Sequence, residues 1–313
     1  MRIASIDIGT NTILLLIADV AEDGTMTVLR DEQIIARLGK GVDAHRRITA
    51  ETFTRVLGFL QRLKATAEAN GATRVVAAGT SSLRDATNGA EFVRNVKSKI
   101  GLEIGVLSGQ EEAELTYRGV VSEFLRTPGA QRSYAVLDIG GGSTELTIGE
   151  EGAVLRKASL NVGALRLTER ILKTSPPSAL ALSQAVHDVR SWIATLPRLL
   201  PSTRLIGVAG TVTTLAAIDL SLPVYDPKRV SGHFLRVESI EQVYENIRAV
   251  TVGEMIRKFP QIQLGRADII LAGVLVLLEA LKRFGVRGIT TSDRGLRYGL
   301  VLREIANATT PKP

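Results

Sequence analysis

Two stretches of the chain combine a carboxylate, a glycine turn and hydroxyl side chains, the residue types that hold phosphate. In Val136-Leu137-Asp138-Ile139-Gly140-Gly141-Gly142-Ser143-Thr144-Glu145-Leu146-Thr147-Ile148, an apolar strand ends at Asp138, three glycines turn the chain, and a second strand leaves with period two. Glycines tolerate positive φ and let the backbone approach a ligand closely, so successive N–H groups can converge on phosphate oxygens. Gly140, Gly141, Gly142, Ser143 and Thr144 are the candidate phosphate contacts, and Asp138 stands where a carboxylate would hold a hydrated Mg²⁺.

The same order recurs in Ser5-Ile6-Asp7-Ile8-Gly9-Thr10-Asn11-Thr12-Ile13-Leu14-Leu15-Leu16-Ile17. Aligning Asp7 with Asp138 matches Ile8 to Ile139, Gly9 to Gly140, Thr12 to Ser143, Leu15 to Leu146 and Ile17 to Ile148. One aspartate-glycine turn is most often an ordinary hairpin. Two in register, 131 residues apart, are too far separated for a solenoid and fit two homologous domains, each opening with a phosphate hairpin. The first copy has Leu14 where the second has Glu145, and a carboxylate replacing an apolar residue in a matched strand marks Glu145 as a site residue.

A third candidate is Glu112. Ser108 with Glu111 three residues on forms a capping box, which gives Glu111 a structural task. Glu112 has none, because it flanks the apolar stripe Ala113, Tyr117, Val120, Val121 and Phe124; the plain alternative is a first-turn partner for the helix dipole. A strand from Leu205 to Ala209 feeds Gly210-Thr211 at a helix start, which suits an anion or nucleotide contact, with close helix packing on glycine as the alternative. His45, His187 and His233 show no ligand spacing, there is no cysteine, and no serine-histidine-aspartate set is readable.

The elements that must place these residues follow from pattern. Strands are expected at Met26–Ala36, Arg74–Ala78, Glu103–Leu107, Val154–Ser159 and Gly288–Thr291, besides those of the two hairpins. Helices are expected from Thr49 to Gly71, about Ala90 to Lys99, through Trp192, in two pieces from about Ser239 to Lys258, and from Gly295 to Ala306. Gly79–Gly89 and Pro223–His233 read as loops, and Gly265-Arg266-Ala267-Asp268 as the start of a long apolar helix. Thr127-Pro128-Gly129 is the clear breaker, so the domain boundary is placed there: 1–127, completed by the C-terminal helix in 295–313, and 128–294.

The chain has 313 residues, 45% hydrophobic and 23% charged, the composition of an ordinary globular protein long enough for about two domains. The longest apolar run, Ile269–Leu278, is well short of the roughly 20 residues a membrane span needs, so no membrane partner is expected. Met1-Arg2 runs directly into the first strand, which leaves no signal peptide and makes a cytoplasmic location the expectation. A net charge of +7 favours polyanionic partners, yet aromatics are only 4% and basic residues are scattered, which argues against nucleic acid.

With these features in hand, the sequence resembles the exopolyphosphatase and guanosine pentaphosphate phosphohydrolase family (Ppx/GppA). The motifs are the two hairpins, Gly79-Thr80-Ser81-Ser82-Leu83-Arg84-Asp85-Ala86, Glu111-Glu112-Ala113, Gly163-Ala164-Leu165-Arg166-Leu167-Thr168-Glu169, Arg266-Ala267-Asp268 and Ser292-Asp293-Arg294-Gly295-Leu296-Arg297. The resemblance covers essentially the whole chain and implies an α/β fold. In that fold two duplicated domains of the actin, sugar-kinase and heat-shock ATPase superfold (ribonuclease H-like) flank an active site in the interdomain cleft. It implies that Glu112 orients or deprotonates the attacking water, that Asp138, Gly140 and Glu145 belong to the second phosphate loop, and that Asp7, Gly9, Asn11 and Thr12 belong to the first. Arg84, Arg166 and Arg266 are similar to the family's phosphate-chain contacts, and Asp7, Asp138 and Glu145 would hold Mg²⁺ and its waters. Two departures stand out. Many members carry an arginine where this chain has Leu14, and larger members append a C-terminal helical region, whereas this sequence stops at Pro313 and the short form is the expectation.

The expected activity is hydrolysis of the terminal phosphoanhydride of inorganic polyphosphate, with guanosine pentaphosphate as the alternative substrate. A nucleoside triphosphate substrate or a kinase reaction stays open, because Val208–Thr211 occupies the superfold's nucleotide position. A non-catalytic polyphosphate or alarmone sensor is the rival of another class, and Glu112 and Glu145 speak against it. The oligomeric state is not readable, and a homodimer stays open.

Overall fold

The computed structural model describes residues 1–21, 25–125 and 130–309, and these form two compact units. Unit 1 comprises Met1–Gly119 with Gly295–Pro313, and unit 2 comprises Val120–Arg294. The expected breaker at 127–129 lies outside the described residues. The division falls at Gly119/Val120, inside a helix, and at Arg294/Gly295.

Unit 1 is built on a five-stranded sheet in the order β3-β2-β1-β4-β5, with β1 Arg2–Ile8, β2 Thr12–Val20, β3 Met26–Ile35, β4 Arg74–Gly79 and β5 Ile104–Val106. β1 is central because its apolar run can be buried on both faces, and it pairs antiparallel with β2 and parallel with β4. β3, rich in charge, takes the exposed edge. Around the sheet lie α1 Val42–His45, α2 Ala50–Ala69, α3 Ser81–Asp85, α4 Gly89–Ile100, the N-terminal part of α5 Gly109–Phe124, and α14 Leu296–Thr309. Thr49 caps α2 by accepting from the Thr52 N–H at 3.2 Å, and Val56, Leu60, Leu63 and Ala67 bury its apolar stripe. The expected loop 79–89 contains α3, a helix too short to leave a periodic apolar signature.

Unit 2 repeats the plan with one strand more: its sheet runs β10-β11-β9-β6-β7-β8, with β6 Ser133–Ile139, β7 Thr144–Glu150, β8 Ala153–Leu160, β9 Arg204–Val208, β10 Phe234–Arg236 and β11 Gly288–Thr291. The order β8-β7-β6-β9-β11 is that of β3-β2-β1-β4-β5, so the repeat seen in the hairpins extends to whole sheets. Its helices are α6 Ala164–Arg170, α7 Ala179–Ile193, α8 Ala209–Asp219, α9 Pro227–Val230, α10 Val237–Ile247, α11 Val252–Lys258, α12 Leu264–Ala267 and α13 Ile270–Phe284. The core gathers on α13, whose residues from Ile270 to Leu281 are all buried. No helix among the described residues is long and apolar enough to cross a membrane.

Two further expectations need correction. The segment 223–233 is not all loop: Asp226 accepts from the Lys228 N–H at 2.9 Å and, with Pro227 at the first helical position, starts α9. Gly265–Asp268 does not open the long helix; Leu264–Ala267 forms α12, and α13 begins only at Ile270.

Candidate active site

The two hairpins turn in the same way. In unit 1 the Gly9 N–H donates to the Thr12 carbonyl at 3.0 Å, and in unit 2 the Gly140 N–H donates to the Ser143 carbonyl at 3.0 Å. Positive φ, one of the two expected reasons for these glycines, is not what they supply. Among the described residues, positive φ is found at other glycines, not at Gly9, Gly140, Gly141 or Gly142. A Cβ on Gly9 would instead lie 2.8 Å from the Thr12 carbonyl oxygen, and one on Gly140 would lie 3.2 Å from that of Ser143. At Gly9 tight closure of the turn, not left-handed backbone, excludes a side chain; at Gly140 a side chain would press on the Ser143 carbonyl by a few tenths of an ångström.

In unit 1 the site residues collect at the carboxyl ends of the parallel strands, where open α/β sheets place their ligands. The Thr80 N–H donates to the Ile8 carbonyl at 3.3 Å and the Leu107 N–H to the Gly79 carbonyl at 2.9 Å, which brings the ends of β1, β4 and β5 into one row. Asp7 lies one residue before the end of β1. Thr10 and Asn11 are buried, and their carbonyls accept from the N–H groups of Gly39, and of Ala36 and Arg37, which fasten the turn from outside. Glu111 does cap α5: the Ser108 N–H donates to Glu111 Oε2 at 2.8 Å and the Glu111 N–H to Ser108 Oγ at 3.2 Å. Glu112, the next residue, is buried and accepts from Arg84 Nη1 at 3.2 Å. Arg84, a candidate phosphate contact, thus meets the candidate base.

In unit 2 the cross-strand register sets Asp138 opposite Glu145, as Asp7 stands opposite Leu14 in unit 1. Directly opposed residues of an antiparallel pair share one face, so the two carboxylates face the same way. Glu145 is buried and its Oε1 accepts from Ser159 Oγ at 2.8 Å, a partner that pattern alone did not reveal. Thr144 Oγ1 donates to the Val162 carbonyl at 2.7 Å, so this hydroxyl serves the scaffold. The start of α6 is seated on the glycine turn: the Ala164 N–H donates to the Gly140 carbonyl at 2.9 Å, and the Leu165 and Arg166 N–H groups to that of Gly141 at 2.8 and 3.0 Å. Arg166, 6% exposed, donates from Nε to the Gly142 carbonyl at 2.6 Å and so braces the turn from within.

At the end of β9 the roles divide unexpectedly. Ala209 takes the left-handed conformation (φ 69°), although it carries a Cβ. Backbone of this kind costs roughly 1–2 kcal/mol per residue. Gly210 makes room for Arg266: a Cβ there would lie 2.9 Å from the guanidinium carbon. Arg266 Nη1 also donates to Thr214 Oγ1 at 3.4 Å. Burial pushes the Arg266 guanidinium below its ordinary pKa, while Tyr225 and Asp293 act the other way; the Tyr225 hydroxyl donates to Asp293. Thr211 is buried, and Gly273 of α13 packs against its side chain. The Arg266 guanidinium thus lies against Gly210, and the close helix packing found here is on Gly273 of α13 rather than on Gly210.

Among the described residues no three Asp, Glu, His or Cys side chains are placed together to hold a metal. Asp7 belongs to unit 1, Asp138 and Glu145 to unit 2. Mg²⁺ ordinarily binds through one or two carboxylates and completes its shell with water and substrate phosphate. The opposed pair Asp138 and Glu145 fits that donor set.

Two similarly wired halves, each with a glycine hairpin at the carboxyl ends of its parallel strands, define a duplicated α/β phosphate-handling fold. The Ppx/GppA phosphatase family model matches residues 16–308, and the chain belongs to that family; it is an enzyme, a phosphoanhydride hydrolase. Exopolyphosphatase 2 of Mycobacterium tuberculosis is 35% identical over 318 residues, covering 96% of this chain and 98% of that protein. Guanosine-5'-triphosphate,3'-diphosphate pyrophosphatase of Vibrio cholerae is 27% identical, covering 95% of this chain and 58% of that protein. Among solved structures, the Aquifex aeolicus family member superposes with a TM-score of 0.84 at 29% identity, covering 99% of each chain. An exopolyphosphatase-like protein reaches a TM-score of 0.91 at 31% identity, covering 98% of this chain and 100% of its own.

Proposed function

We propose that the chain is an exopolyphosphatase that releases the terminal phosphate of inorganic polyphosphate, with Glu112 orienting the attacking water. The observation that carries this reading is the division of labour between side chains at the start of α5: the Glu111 carboxylate closes the capping box, whereas the carboxylate of the buried Glu112 beside it accepts from Arg84. Phosphoryl transfer of this kind needs positioning and charge neutralisation more than covalent chemistry. The turn from Gly140 to Thr144 would position a phosphate group, and the desolvated guanidinium of Arg266 would offset its charge. Mg²⁺, held by Asp138 and Glu145, would neutralise phosphate charge when bound. Ser159 holds Glu145 in place for that task.

Polyphosphate is favoured by the match to nearly the full length of the Mycobacterium tuberculosis exopolyphosphatase. The Vibrio cholerae relative supports guanosine pentaphosphate as the second reading. The test is phosphate release by the purified protein with Mg²⁺ from long polyphosphate, guanosine pentaphosphate and ATP in parallel. Glu112→Gln should lower turnover on polyphosphate by about 10² to 10⁴ while leaving chain binding nearly intact. Greater turnover on the guanosine substrate selects the second reading. Binding without release from any of the three makes the chain a sensor.

A further inference from the structure

Arg84 sits on α3 and Glu112 in the first turn of α5, both within unit 1. A single nitrogen, Arg84 Nη1, donates to the Leu107 carbonyl at 2.7 Å and to Glu112 Oε2 at 3.2 Å. Leu107 is itself fixed: it is buried, and its N–H donates to the Gly79 carbonyl at the end of β4. The guanidinium is thereby tied at one side to rigid backbone and at the other to the carboxylate. The arginine side chain is 25% exposed and the glutamate side chain 11%, so their contact is largely shielded from solvent. A glutamate in a first helical turn has several rotamers, and holding one costs up to about 2 kcal/mol of side-chain freedom. A carboxylate has about four lone-pair sites, so accepting from Arg84 does not exhaust Glu112.

We propose that Arg84 is a positioning residue that sets the rotamer of Glu112 for the attacking water, rather than a grip on the phosphate chain. This rests on the assignment of Glu112 made above. The two roles separate kinetically. A contact made equally in ground and transition states appears in KM, whereas an arrangement needed only for the chemical step appears in kcat.

The experiment is a cycle of four proteins, wild type, Arg84→Met, Glu112→Gln and the double variant, assayed for phosphate release from long polyphosphate with Mg²⁺. Arg84→Met should lower kcat by about 10- to 10²-fold, the scale of a misplaced reacting group, with KM nearly unchanged. The double variant should be no slower than Glu112→Gln alone, because a residue that acts through Glu112 has nothing left to act on. Arg84→Lys should recover part of kcat, since an ammonium carries three donors and can serve both acceptors. The lysine variant carries the cycle if the methionine variant melts early. A raised KM with unchanged kcat, or a double variant slowed by the product of the two single effects, overturns the role of Arg84 while leaving Glu112 as base. Full turnover in Glu112→Gln overturns the assignment of the base, and with it any role exerted through it.

Discussion

Gly163 offers a direct test of how rigidly the second phosphate hairpin is seated. Its backbone is extended (φ −156°, ψ 169°), so conformational freedom does not explain a glycine there. A Cβ would instead lie 2.7 Å from the carbonyl carbon and oxygen of Gly141 and from the Ser143 nitrogen, all backbone atoms of the turn. Ordinary van der Waals contact begins near 3.4 Å, so Gly163→Ala must move turn and helix start apart by about 0.7 Å. They are also joined by the hydrogen bonds from Ala164, Leu165 and Arg166, so the displacement strains all of them. Overpacking of this kind costs about 1–3 kcal/mol. In a domain of this size each kcal/mol lowers the melting temperature by about 2–4 °C. A phosphate loop misplaced by close to 1 Å loses up to about 10²-fold in rate. Thermal melting and phosphate release from polyphosphate measure both effects. Gly58→Ala is the matched control: its Cβ would meet nothing within 4 Å on the exposed side of α2. That change should stabilise by about 0.5–1 kcal/mol. Wild-type melting and turnover in Gly163→Ala, with the control behaving as stated, would refute the argument that α6 locks the turn.

Two further expectations concern stability. Arg297 donates from Nε and Nη2 to Asp31 at 2.8 to 3.1 Å and is 6% exposed, so Arg297→Met should cost about 1.5–3 kcal/mol in urea unfolding with an unchanged slope. The Thr251 N–H and hydroxyl, with the backbone contribution the larger, hold the Glu254 carboxyl below its ordinary value near 4.5. A carboxyl whose pKa is lower folded than unfolded stabilises fully above the unfolded value and loses that contribution as pH falls through the folded one. The melting temperature should therefore fall on acidification below about pH 4.5, and the gap between wild type and Glu254→Gln should close over the same window.

Much of the architecture was legible because its signals are local and repeated. Asp7 and Asp138 stand near the ends of strands of one pattern, and the register that opposes Asp138 to Glu145 where Asp7 meets Leu14 is the one that alignment of the two copies implies. The capping box at Ser108 and Glu111 was legible for the same reason, since it needs only four consecutive residues. Short elements escaped: α3, α9 and the strand Phe234–Arg236 are three to five residues long and leave no period to detect. Contacts between residues distant in sequence escaped as well. Nothing in the order of residues shows that Arg84 meets Glu112, that Ser159 holds Glu145, or that Gly210 accommodates Arg266. The hairpin glycines do not adopt the expected left-handed backbone, and steric closure at Gly9 escaped because both causes select the same residue type and sequence cannot separate them.

The last helix of the chain finishes the first unit. α14 buries Leu296, Tyr298, Leu300 and Val301 together with Ile3, Leu16, Val76 and Ala78 of the unit 1 sheet, and Gly299 packs against the Leu115 backbone. During synthesis the face formed by Ile3 and Leu16 must therefore wait for residues 296–309 to leave the ribosome. At about 5–20 residues per second the delay after residue 119 is on the order of 10–40 s. The N-terminal unit is thus the first to be made and cannot be the first completed, so a nascent chain stalled before residue 296 carries an open apolar sheet face for a chaperone to cover.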